Sequence, residues 1–140
     1  MALKIGEIKV GDTYQEEVCT NLSRTQIVQY AGASGDYNPL HSDEIFTTQV
    51  AWYPSVFAHG MLSMGMTGRM FTNYVGDGHL SYYGVRFTSQ VFPGATLTAK
   101  ATVTKIREEN GKAFADIEVS TTDAEGVEVI KGSASAKLAT

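Results

Sequence analysis

Apolar and polar residues alternate with a period of two through much of the C-terminal half of the chain. Leu97, Ala99, Ala101 and Val103 alternate with Thr98, Lys100 and Thr102. Ala113, Ala115, Ile117 and Val119 do the same against Asp116, Glu118 and Ser120. This spacing predicts half-buried strands. Segment 127–138, with Gly132, Ala134 and Ala136 on one face, and the Tyr-, Val- and Phe-rich segment 79–91 make four. Turn signals at Pro93-Gly94, Asn110-Gly111 and Glu125-Gly126 separate them, which predicts an antiparallel meander. Segment 13–20 supplies a fifth strand.

The N-terminal half reads as helix. Ser23 followed by Gln26 is a capping-box pattern opening a helix that carries Ile27, Val28, Tyr30 and Ala31. Ser42-Asp43-Glu44 predicts an N-cap and acidic first turn for a short second helix. The third helix, over 59–74, places Met61, Leu62, Met64, Met66, Met70 and Phe71 around most of its circumference, and a helix apolar nearly all round is buried. It also holds Gly60, Gly65 and Gly68, and a mid-helix glycine costs about 1 kcal/mol against alanine. Close approach to the Gly132, Ala134 and Ala136 face is the expected compensation. One buried helix wrapped by a curved antiparallel sheet is the hot-dog fold, of class α+β. An open-faced α+β sandwich is the alternative.

Composition narrows the function classes. The 140 residues fit one domain, 1–140, with neither repeat nor linker. Lys and Arg total 11 against 15 Asp and Glu, a net charge of −4, so no basic footprint for nucleic acid is present. No apolar run has the length of a membrane span, and the Met1-Ala-Leu-Lys start leads into no signal core. Cys19, the single cysteine, has no intrachain disulfide partner and no companion histidine, so an inert thiol is expected. Together these predict a soluble, cytoplasmic protein.

The densest polar run is Ser34-Gly35-Asp36-Tyr37-Asn38-Pro39-Leu40-His41. Pro39 bars a continuous helix and favours extended backbone at Asn38, so the run is a loop. A bent loop can bring Asp36 and His41 to one water molecule, as general base catalysis requires. From spacing alone, the commoner outcome for such residues is turn capping. The second constellation, Ala58-His59-Gly60-Met61, opens the apolar helix. Its free N–H groups and dipole suit an oxyanion, and Gly60 permits close approach. Tight packing at Gly60 and capping by His59 explain the same residues equally well. Asp36, His41 and His59 lack the paired spacing of metal ligands, so no metal is expected. No P-loop or dinucleotide fingerprint occurs, and His79 reads as a strand-end residue.

The run around Ser34–His41 resembles the hydratase motif of the MaoC-like (R)-specific enoyl-thioester hydratases and dehydratases. Ala58-His59-Gly60-Met61 is similar to the start of that family's central helix, and Val85-Arg86-Phe87 with Val91-Phe92-Pro93-Gly94 to its following strand and turn. The resemblance implies reversible hydration of a (2E)-enoyl thioester to the (3R)-hydroxyacyl thioester. In that chemistry Asp36 and His41 activate water and the Gly60 N–H binds the thioester oxygen. His59, Ser34 and Met61 would line the substrate, Asn38 would fix the loop or contact the substrate, and no cofactor or metal is needed. CoA or acyl carrier protein would carry the acyl group. A dimer is implied, of two copies or with a second hot-dog subunit, and with the acyl tunnel near the interface. Segment 48–57, with Trp52 and Tyr53, is either tunnel wall or packed turn.

Some features depart from the family pattern. Ala95 replaces a frequent Asp, Thr47 a frequent Ala or Ser, and Gly68 a serine of some members, whose role is therefore not carried over. The Met-Ala-Leu start, the His-Gly-Met-Leu-Ser-Met-Gly run and the Ala-Ser-Ala-Lys-Leu-Ala ending look most like the beta subunits of mycobacterial (3R)-hydroxyacyl-ACP dehydratases. A hot-dog thioesterase and a non-catalytic subunit are the competing readings.

Overall fold

The computed structural model describes residues 2–140; Met1, part of the N-terminal run just quoted, lies outside them. The elements in order are β1 (Thr13–Cys19), α1 (Arg24–Ser34), a 3-10 turn (Pro39–His41), a π-helical turn (Phe46–Val50), α2 (Gly60–Val75), β2 (Leu80–Phe87), β3 (Leu97–Glu109), β4 (Lys112–Thr122) and β5 (Glu128–Lys137). The five strands form one antiparallel sheet with α2 packed on one face, the hot-dog arrangement.

Alternation builds the core as predicted. Ala99 and Ala101 of β3, Ala115 and Ile117 of β4, and Ala134 and Ala136 of β5 are buried on the inner face. Small side chains there let Met70, Phe71 and Val75 of α2 lie fully buried against the sheet. Burying a side chain of that size stabilises by roughly 1.5–3 kcal/mol. No helix among the described residues is long and apolar enough to cross a membrane. Cys19 is buried, and burial pushes its thiol up.

Four expectations need correction. The strand order is β1-β3-β4-β5-β2, so only β3, β4 and β5 form a meander. β2 is carried across the sheet by the 88–96 connection and pairs with β5 at an edge, Val85 opposite Gly132. Gly132 therefore admits β2, not α2: a Cβ there would lie 2.2 Å from the Gly84 carbonyl oxygen and 2.7 Å from Val85 Cα.

The other corrections concern helices. α2 is not covered all round, since Met61, Gly65, Arg69 and Asn73 form an exposed stripe at four-residue spacing. Its glycines also differ from one another. Gly60 and Gly68 sit under the Phe87 and Tyr83 rings of β2, whereas nothing lies within 4 Å of a Cβ built on Gly65. The short second helix is irregular: the Pro39–His41 turn precedes it, and Asp43, not Ser42, accepts from a backbone N–H, that of Phe46 at 3.0 Å.

Candidate active site

Local hydrogen bonds set the path of the polar loop. The Ser23 and Gln26 capping box opens α1, and Gly35, in left-handed conformation at φ 75°, closes it with its N–H on the Ala31 carbonyl. Ser34 Oγ then accepts the Asp36 N–H at 3.1 Å, Asp36 Oδ1 the Asn38 N–H at 3.2 Å, and Asn38 Oδ1 the Leu40 N–H at 3.0 Å. Ser34 and Asn38 thus shape the loop. The buried Thr47 hydroxyl, 2.7 Å from the Asp43 carbonyl oxygen and 3.1 Å from that of Pro39, fastens the far end.

The fold brings Asp36, His41 and His59 together, with one ligand-type atom from each lying within 4.8 Å of the others. Asp36 is exposed, while His41 and His59 are 8% and 2% exposed. His41 Nδ1 lies 2.6 Å from the Phe57 carbonyl oxygen. A carbonyl only accepts, so Nδ1 carries the hydrogen and the neutral ring keeps its lone pair on Nε2. By the same reasoning His59 donates from Nε2 to the Asp36 carbonyl oxygen at 3.0 Å. Its buried Nδ1 has no hydrogen-bond partner. The two imidazoles stack at 3.8 Å and 25°, Tyr30 meets His59 edge-on at 4.8 Å, and Phe57 meets His41 edge-on at 5.4 Å.

These atoms suit proton transfer better than metal binding. Two rings stacked nearly parallel hold their in-plane lone pairs in nearly parallel planes. A tetrahedral ion at about 2.0–2.1 Å from both needs lone pairs that converge.

Gly60 is the first residue of α2, so its N–H has no intrahelical acceptor and lies at the positive end of the helix dipole. A cleft of about 220 Å³ opens beside it, lined by Phe57, Ala58, Gly60, Ser63, Phe87 and Val129 among others. Phe87, which sequence reasoning did not place in the site, lies so close that a Cβ on Gly60 would be 2.8 Å from its ring. Met61 is 56% exposed, on the open stripe of α2. In segment 48–57, Tyr53 stacks obliquely on Phe57 behind His41, whereas Trp52 has φ 63° and is 83% exposed.

A hot-dog domain with a carboxylate and a histidine gathered beside the start of its central helix defines a recognisable class of protein. Residues 7–126 match the family model described as MaoC like domain, and the chain belongs to that family. It is 38% identical over 100 residues to 3-hydroxyacyl-thioester dehydratase Y of Mycobacterium tuberculosis, a match covering 69% of this chain and 33% of that protein. It is 33% identical over 130 residues to an (R)-specific enoyl-CoA hydratase of Rhodospirillum rubrum, covering 91% and 86% respectively. The chain spans a third or less of the length of several curated relatives that it matches.

Among solved structures, the (R)-hydratase from A. caviae involved in PHA biosynthesis superposes with a TM-score of 0.83 at 26% identity, covering 96% of this chain and 99% of that one. The HadBC (3R)-hydroxyacyl-ACP dehydratase complex of M. tuberculosis gives 0.73 at 17% identity, covering 91% and 96%. At that identity the likeness is one of fold, so the beta-subunit resemblance narrows to membership of the family.

Proposed function

We propose that this domain catalyses the reversible addition of water to a (2E)-enoyl thioester, giving the (3R)-hydroxyacyl thioester. The observation that carries the reading is the meeting of the Asp36 carboxylate and His41 at one end of the Gly60 helix. Groups up to 4.8 Å apart are spanned by a single water. His41 Nε2, bare because Nδ1 is held by Phe57, accepts a proton from that water while Asp36 orients it. The water oxygen bonds to C3, and the displaced electron pair moves through C2 onto the thioester oxygen. The Gly60 N–H stabilises that developing charge. The pair then returns a proton to C2, so the elements of water are added across the double bond and nothing is oxidised. Dehydration runs the same steps backwards.

Support for the substrate class comes from relatives named as enoyl-CoA hydratase and 3-hydroxyacyl-thioester dehydratase. We propose CoA or acyl carrier protein as the carrier, and a dimer with a second hot-dog subunit, identical or different, as the active form. The HadBC complex among the structural neighbours favours such pairing.

Loss of enoyl-thioester absorbance with crotonyl-CoA tests the reading. Asp36→Asn and His41→Gln are each expected to lower turnover by about 10²–10⁴-fold. Near-normal turnover in both variants, or release of free thiol without hydroxyacyl product, would overturn it in favour of an inert or thioesterase site.

A further inference from the structure

Three features of His59 are not used by the reaction above. It donates from Nε2 to the main-chain carbonyl of Asp36, across 23 positions of sequence. Its ring lies flat against His41 at 3.8 Å. Its Nδ1 is buried with no partner, although an unpaired buried acceptor costs about 1–3 kcal/mol.

The carbonyl of Asp36 belongs to the exposed 34–38 stretch of the loop, whose other hydrogen bonds are its own turns. Only the His59 bond among these ties the loop to α2, because His59 is the residue just before that helix. One imidazole therefore fixes the backbone under the carboxylate and the plane of the other imidazole together.

We infer that His59 is the positioning residue of the acid–base pair: a platform whose Nε2–H and ring face set Asp36 and His41 at the separation that holds the reacting water. This rests on the hydration reading above, with a structural prediction that stands apart from it.

Two variants separate the N–H from the ring. His59→Phe keeps an aromatic platform and loses the donor, while His59→Gln keeps a donor and loses the platform. With crotonyl-CoA, His59→Phe is expected to lose about 10²-fold in kcat with KM unchanged, since misplacement of about 1 Å costs that much. His59→Gln is expected to stay within about tenfold of the parent. A parental kcat in His59→Phe, or equal losses in both variants, overturns the assignment.

Nitrogen-15 spectra of the histidine rings in the unaltered chain test the geometry without activity. His41→Gln and His79→Gln would identify the His59 signals, which should show the Nε2–H tautomer; the Nδ1–H tautomer overturns the proposal even if His59→Phe fails to fold. An inactive parent chain would count against the hydration reading alone and leave this measurement decisive for His59.

Discussion

Gly60 has no room for a methyl group. Its Cβ would sit 2.8 Å from two carbons of the Phe87 ring, which is half exposed and able to move. Gly60→Ala is therefore expected to cost about 1–3 kcal/mol of stability, most of it relieved when Phe87→Ala is added. Urea denaturation of the two single variants and the double variant measures this coupling; additive effects would show that the ring is not what excludes the methyl. The meeting of Asp36 and His41 was legible in the sequence, because their residue types and spacing form a recognisable motif. The partner of His41 was not. It is the backbone carbonyl of Phe57, and a carbonyl leaves no mark in sequence. Ser34 was read as a substrate contact and Asn38 as a loop or substrate residue; the hydrogen bonds observed for both are to backbone N–H groups of the loop itself.

Glycine meant different things in different elements. Gly65, on the exposed stripe of α2, has open space where a Cβ would go, so Gly65→Ala should gain about 1 kcal/mol from helix propensity. Gly132 faces backbone atoms that cannot rotate away, so Gly132→Ala should destabilise, by roughly 1–3 kcal/mol or more. Thermal unfolding of both variants checks the contrast, and a stabilised Gly132→Ala would mean that β2 shifts freely over β5. Strand positions were legible from alternation to within a few residues, because inward and outward environments differ along each strand. Pairing was not: period two says which face is buried and nothing of which neighbour a strand takes. The long 88–96 connection, as opposed to a two-residue hairpin, was the available sign that β2 leaves β3.

At the scale of the whole chain the question is what meets the surfaces that one copy leaves open. The outer face of the sheet carries Arg86, Lys131, Ser120 and Lys100 in direct register across β2, β5, β4 and β3. Among the described residues, no carboxylate pairs with any of these three cations. Glu118 lies on the same face opposite Ser133, so stacking copies face to face would bury charges of both signs, which is costly unless each is paired. The edge differs. β2 ends the sheet with unpaired backbone groups and with Tyr82 and Phe87 58% and 50% exposed. An edge of that kind is a template for another strand. Phe87 also covers Gly60, so a partner strand along β2 would lie against the cleft beside the proposed oxyanion site. Light scattering on the purified chain is therefore expected to give a mass twice that of one copy. Where the chain is monomeric alone, co-expression with a second hot-dog subunit should give a stable pair with raised turnover. A monomer that hydrates crotonyl-CoA at full rate would show that β2 needs no partner and that the cleft is complete within one chain.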